Sequence, residues 1–256
     1  MNESMAIVSF LGLVLAVLVA ARLGQASLRL LAAVYILLSN ITVGMPVPVF
    51  GVEISWAIVI YSLVYFITDI VSEHYGRRSA YQLALTNLLV QVLLWLYVWS
   101  SLLVEPSPDG QTAHETMRLL FGTSSRITVA ALVAGIGPFL DIATFALIRD
   151  RWDQWVARLD RVSGMARVAR NRVVAIVARN KLSTFAGQIL NTIVFFSIAF
   201  VDTGVSARTL LSIIVSASLV KVVVALADIP FLVLVDRFIR PRGVPERPRT
   251  SEATAR

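Results

Sequence analysis

Residues 61–81, YSLVYFITDIVSEHYGRRSAY, begin as a membrane helix and end as a basic loop. Asp69 and Glu73 sit near the end of the apolar part, four residues apart and therefore on one helical face. A carboxylate in hydrocarbon costs about 2.5–3.5 kcal/mol on insertion scales. A span carrying two of them needs a protein interior to receive them.

The rest of the chain has the composition to build one. Of 256 residues, 57% are hydrophobic and 15% charged, and the mean hydropathy is +0.77. Soluble domains hold about 45–50% apolar and about 25% charged residues. The apolar residues gather in runs near the length that crosses about 30 Å of hydrocarbon. These runs lie at roughly 6–21, 29–48, 54–74, 79–103, 126–148, 182–201 and 207–235. The expected fold is an all-α polytopic membrane bundle of seven spans.

Charge sorts the connections. Segment 149–181 holds nine bases against three acids, and the tail 240–256 five Arg against two Glu. The connection 104–125 carries Glu105, Asp109 and Glu115 against Arg118 alone. Arg22/Arg29 and Arg77/Arg78 make two short loops basic, whereas 49–53 and 202–206 are not. The positive-inside rule then gives seven spans, N-terminus out and C-terminus cytoplasmic. A signal peptide is the other reading of the first run; its leader MNES is acidic and has no Lys or Arg, which opposes it. With net charge +7 and a pI near 10.4, the bases set orientation and meet anionic lipid rather than nucleic acid.

The expected organisation is a transmembrane domain over 1–238 and a disordered basic tail over 239–256, rich in Pro and charge. Within 149–181, Trp152, Trp155, Val156, Leu159 and Val162 fall at helical spacing. Two readings stand: an interfacial helix, or a solvated loop with Trp anchors. No Cys and only two His are present. Thiolate chemistry and disulfides are thereby excluded, and a His-built metal site is disfavoured. No cofactor is expected.

Ionisable residues inside spans are functional candidates by default. Those here are Asp69, Glu73, Asp141, Lys221 and Asp228, joined by Asn40, Thr68, Asn87, Gln91, Ser183, Thr184, Gln188, Asn191 and Thr192. Counting about 1.5 Å per residue from the inner edge, Asp69 lies ~8 Å deep, Asp141 ~10 Å, Gln188 ~9 Å, Asn191 ~13 Å, Asn87 ~12 Å, Asn40 ~16 Å and Gln91 ~18 Å, and Lys221 sits near the middle of its run. Six helices thus bring polar groups to one band between the inner edge and the midplane. Such a band faces a shared cavity, not lipid. Lys221 and Asp228 share a face but lie ~10 Å apart, so Lys221 is expected to take an acid from another helix, Asp69 or Asp141. Each signal also has a plainer account. Buried amides serve as interhelical glue, Glu73 can snorkel to the inner surface, and Asp228, four residues from the inner edge, reads better as interfacial.

Helix breakers stand near these groups. Pro46, Pro48 and Gly51 follow the second run, Gly135, Gly137 and Pro138 precede Asp141, and Pro230 kinks or ends the last run. Broken helices near an acid are a habit of transporter sites, and a structural kink explains each Pro as well. GPFLDIATF (137–145) and GQILNTIVF (187–195) echo each other, with Gly, then Asp141 or Asn191 four residues on, then Phe. Two such spans running in opposite directions fit an inverted pair around a midplane site.

Five stretches together resemble the queuosine precursor transporter family, also called the vitamin uptake transporter family, of prokaryotic inner membranes. LSNITVGMPVPVFG (38–51) resembles its opening Ser-Asn motif, and YFITDIVSEHYGRRSA (65–80) its Thr/Asn-Asp-x-x-x-Glu-x-Tyr-Gly signature. FGTSSRI (121–127) with GPFLD, STFAGQILNTIVFFSIAF (183–200) and LVKVVVALADIP (219–230) resemble three later elements in order. The chain departs from the family at Asn191, where Asp is common, at Pro138 for a frequent Gln, at Ala225 for a frequent acid, and in its extra first span.

The resemblance implies a fold similar to the membrane substrate-binding subunits of vitamin importers, with six core spans, here plus one extra N-terminal span. It implies inner-membrane uptake of 7-deazaguanines such as preQ0, preQ1 or queuine. A carboxylate accepts two adjacent N–H groups of such a ring, amides serve its other edge, and Tyr65, Phe66, Phe195 or Phe196 offer stacking faces or plain packing. The expected substrate-binding set is Asn40, Asp69, Glu73, Asn87, Gln91, Asp141, Gln188, Asn191 and Lys221.

Other classes stay open: a proton-coupled carrier, a vitamin-importer subunit for another heterocycle, or a non-transporting scaffold. No catalytic dyad points to an enzyme. No Walker motif is present, and an energy-coupling module or a homo-oligomer is left open as a partner.

Overall fold

The computed structural model describes residues 2–43, 45–122, 135–144, 147–148, 151, 172–200 and 204–239. The Trp-bearing stretch 152–162, residues 126–134 of the run 126–148 and the tail 240–256 lie outside these residues, as do the side chains of Ser183 and Thr184.

The chain opens with two helices, α1 (Asn2–Leu23) and α2 (Gln25–Thr42), separated by Gly24. An antiparallel hairpin follows, β1 (Pro46–Val49) and β2 (Val52–Ser55), with Pro46 opposite Ser55 and Val49 opposite Val52. Its two-residue turn has positive φ at Phe50 and Gly51, the backbone that matches the twist of paired strands. The sequence reading had only a short loop here. Next come α3 (Ala57–His74), α4 (Arg77–Leu102), a short α5 (Gln111–Met117) and a wide helical turn over Arg118–Gly122. Beyond lie α6 (137–144), α7 (Arg172–Ala199), α8 (Ala207–Ala227) and α9 (Ile229–Ile239).

Among the described residues, five segments are long and apolar enough to cross a membrane: α1, α2, α3, α4 and the α8–α9 stretch. A shorter apolar segment, Gly187–Ala199, forms the second half of α7. The protein is a multi-pass helical membrane bundle. The hairpin precedes α3 and Arg77 and Arg78 follow it, so one end of the bundle gathers the hairpin and the other these two arginines. We call these the hairpin end and the basic end.

The bundle is organised around α3. Of its span, 83% is buried, against 17–28% for the other spans. It touches α1, α2, α4, α7, α8 and α9. The other helices turn Leu15, Leu30, Leu89, Leu93, Leu211 and Val223 outward, as lipid-facing surfaces require. Between helices, Ala20, Ala21, Ala32, Ala80 and Ala84 are buried in one cluster with Leu63, Phe66, Ile67 and Ile70 of α3. Small residues there let backbones approach where no hydrophobic force acts between helices. At Gly76 φ is +86°, a left-handed conformation that glycine adopts without penalty, and the chain turns there from α3 into α4.

Two boundaries differ from the sequence reading. α7 begins at Arg172, about ten residues before the expected start, so Lys181 lies within a helix and is buried. The last run is two helices, broken at Asp228 two residues before Pro230. The Asp228 carbonyl accepts from the N–H groups of Phe231 and Leu232, capping a helix whose first turn holds the proline that cannot donate.

Candidate functional site

Along α3, polar groups recur every fourth residue: Tyr61, Tyr65, Asp69 and Glu73. That spacing places them on one slowly winding face, about 6 Å apart along the axis. The stripe runs from the hairpin end to the basic end and divides the interior into three levels.

At the hairpin end Tyr61 lines a cavity of about 90 Å³, several times the space a single water needs (~10–15 Å³). Its wall takes Ser39, Asn40 and Val43 from the end of α2, Ser55 from the hairpin, and Ala57 and Ile58 from α3. It also takes Gln91 from α4, Asn191, Phe195 and Phe196 from α7, and Lys221 from α8. The hairpin is held over it by Asn2, which donates to the Pro48 carbonyl at 3.0 Å, and by packing of Val49 and Ile54 with Ala6, Ile58 and Ala217. Phe195 and Phe196 meet edge to face at 5.1 Å. The cavity is thus mainly apolar with a few placed polar groups, the usual make-up of a small-molecule site.

The middle level is built on Tyr65. Asn191 Nδ2 donates to Tyr65 Oη at 2.6 Å and to Tyr61 Oη at 3.2 Å. The echo between the two Gly-x-x-x-Asp/Asn segments becomes a reciprocal contact. A Cβ on Gly137 would come within 2.8 Å of Tyr65 Oη and 2.9 Å of Asn191 Cγ. A Cβ on Gly187 would come within 2.9 Å of Asp141 Cβ. Each glycine admits the polar residue of the other segment, so α6 and α7 approach at their polar positions.

Asn87 and Gln188 lie one turn beyond the cavity-lining Gln91 and Asn191, about 4.5–6 Å toward the basic end. Both are buried, and both amide ends of each lack a partner among the described residues. Such groups are rare in native interiors and mark sites of function or hydration.

The third level is ionic. Lys181 is buried, hydrogen-bonds the Asp228 carboxylate, and lies 3.8 Å from Asp69 Oδ2. Both carboxylates are buried as well. This arrangement corrects two expectations. Asp228 is an interior group rather than an interfacial one. Lys221 takes no acid among the described residues; it donates to Thr192 Oγ1 at 2.9 Å, and its ammonium lies 5.7 Å from the Tyr61 ring centre. The cation beside Asp69 is Lys181, which charge counting had put in the basic loop. An earlier helix start, continuing the α7 register back through Arg172, was the missing signal.

The structure therefore separates the nine expected residues. Asn40, Gln91, Asn191 and Lys221 line one cavity. Asp141, Asn87 and Gln188 are buried beside or beneath it. Asp69 joins the ionic level, and Glu73 is half-buried one turn further on. Tyr61 and Lys181 enter the picture only through the tertiary structure, and Ser39 of the Ser-Asn motif joins the cavity wall. Among the described residues, no cluster of His and acids is arranged to hold a metal.

Residues 55–235 match a family described as "Putative vitamin uptake transporter". A curated relative, "Probable queuosine precursor transporter" of Bacillus subtilis (strain 168), is 28% identical over 196 residues, covering 75% of this chain and 76% of its own. No solved structure matches significantly. The matched segment holds α3, α4 and α6–α8 entire, with the stripe, the reciprocal glycines and the ionic level, and the chain belongs to the vitamin uptake transporter family.

Proposed function

We propose that this protein imports 7-deazaguanine precursors of queuosine or archaeosine (preQ0, preQ1 or queuine) across the plasma membrane, with the hairpin end outside and the C-terminus cytoplasmic. The observation that carries the reading is the cavity at the hairpin end. Amides from three helices and one lysine surround a slot walled by Tyr61, Phe195 and Phe196. A flat, nitrogen-rich ring suits that wall by stacking, and its edges suit the amides. The queuosine name of the Bacillus relative supports the choice of ring.

The levels then have separate roles. The ligand enters beside the hairpin and binds among Asn40, Gln91, Asn191 and Lys221. Asn87, Gln188 and Asp141 form the next contacts along the α3 stripe. The Asp69–Lys181–Asp228 cluster closes the basic end and opens by exchanging its partners. Glu73 stands at the exit. A binding site reached from one end and shut at the other is one half of an alternating-access cycle.

The cluster also favours a second reading, a proton-coupled carrier for another small heterocycle, because intramembrane carboxylates serve as proton relays in such carriers. Uptake of labelled preQ1 into cells that lack their own synthesis tests the first reading, and uptake of other heterocycles with collapse of the pH gradient tests the second. Normal surface levels without deazaguanine uptake end the first.

A further inference from the structure

We infer that Lys221 reads a hydrogen-bond acceptor on the ligand, so that the cavity selects a lactam-bearing oxo-heterocycle over its amino counterpart. The inference rests on the cavity being the ligand site, as proposed above.

Lys221 is buried in the second half of α8. Its ammonium offers three donors and no acceptor. One donor goes to Thr192 Oγ1. That hydroxyl donates its own proton to the Gln188 carbonyl at 2.7 Å, so its lone pairs are left to receive Lys221. The side chain is thereby anchored from behind, with the ring of Tyr61 on a flank. No carboxylate partners it among the described residues, yet it lines the cavity. Two donors remain for whatever occupies that space.

Two amides that line the same cavity present the opposite need. Gln91 Oε1 and Asn191 Oδ1 have no partner among the described residues, and both residues are more than nine-tenths buried. The other end of the Asn191 amide is already held by Tyr65 and Tyr61. Acceptors left over in a low-dielectric site call for N–H groups on the ligand.

A lactam answers both demands at adjacent ring positions, with a carbonyl for Lys221 and an N–H for an amide oxygen. An amino group in place of that carbonyl would set N–H against ammonium and leave donors unpaired on both sides. A free carboxylate would satisfy the lysine but bring no N–H to Gln91 or Asn191. Sites built around a buried polar contact reject analogues that cannot make it far more strongly than apolar pockets reject a change of size.

The test uses cells without their own precursor synthesis that express the full chain and take up labelled preQ1. Unlabelled 7-deazahypoxanthine and 7-deazaadenine compete; they differ in carrying a lactam or an amino group at the same edge. The wild type is expected to be inhibited by the lactam at about tenfold lower concentration or better. In Lys221→Met that gap closes to within about threefold, and in Lys221→Arg, which keeps donors, it persists. Robust uptake with equal inhibition by the two competitors overturns the inference while leaving the proposed function standing. An undiminished gap in Lys221→Met overturns it too. A wild type present in the membrane that takes up no deazaguanine removes both. If Lys221→Met does not reach the membrane, the wild-type ratio alone decides.

Discussion

Lys181 and Asp228, 47 residues apart in the chain, are hydrogen-bonded in the interior of the bundle, and Asp69 of the central helix completes the cluster at 3.8 Å. Three elements are tied at that point: α3, α7 and the break between α8 and α9. Removing the cation strands the buried Asp228 carboxylate. Lys181→Met should therefore cost roughly 3–5 kcal/mol, as breaking buried pairs does. Thermal unfolding of the purified protein in detergent measures it. The double variant Lys181→Met/Asp228→Asn should recover part of the loss, giving a coupling of about 0.5–3 kcal/mol.

The reciprocal glycines make a second prediction. Gly187→Ala forces a Cβ to within 2.9 Å of Asp141 Cβ, and Gly137→Ala to within 2.8 Å of Tyr65 Oη. Each should destabilise by about 1–3 kcal/mol, as overpacking does. Gly12 of α1 is the control. A Cβ there meets nothing within 4 Å, so Gly12→Ala should stabilise the helix by about 0.5–1 kcal/mol. Melting temperatures that move alike in all three would remove the close approach of α6 and α7.

At the middle level, Tyr65→Phe takes away the 2.6 Å bond from Asn191 and leaves only the 3.2 Å one to Tyr61. The stability loss should be about 1 kcal/mol. Asn191→Leu loses both bonds and a cavity-lining amide, and uptake should fall at least about tenfold at equal membrane level. Full transport by Asn191→Leu would separate the cavity from the transport path.

Orientation is open to a clean experiment because the chain has no cysteine. Phe50 at the hairpin turn and Arg78 at the start of α4 are both exposed, at opposite ends. Phe50→Cys should react with a membrane-impermeant maleimide in intact cells. Arg78→Cys should react only after permeabilisation. The reverse pattern would invert the proposed orientation.

Much of this was legible in residues alone. The apolar runs mark the spans, and α1, α3, α4 and α8 lie close to where hydropathy puts them. The breakers at Gly135 and Pro138 stand at the start of α6, which begins at 137, and Pro230 follows a real break in the last run at Asp228. The short echo between 137–145 and 187–195 marks a contact. What the pattern could not carry was rotation and axial offset between helices. Depth counting drew Asp69, Gln91 and Lys221 into one band, whereas packing puts Gln91 and Lys221 on the cavity and Asp69 in a separate cluster with Lys181 and Asp228.

By itself, the sequence determined that this is a membrane bundle and which polar groups it must enclose. Both follow from local physics: a span satisfies its own backbone hydrogen bonds, and a polar side chain is shielded from lipid wherever it falls in a span. Only the tertiary structure decided which of those groups meet. Lys181 reaches Asp228 because α7 starts early, and Lys221 reaches Thr192 and Tyr61 because of how α8 lies against α7 and α3. Such pairings depend on the rigid-body placement of whole helices, which no local spacing of residues encodes.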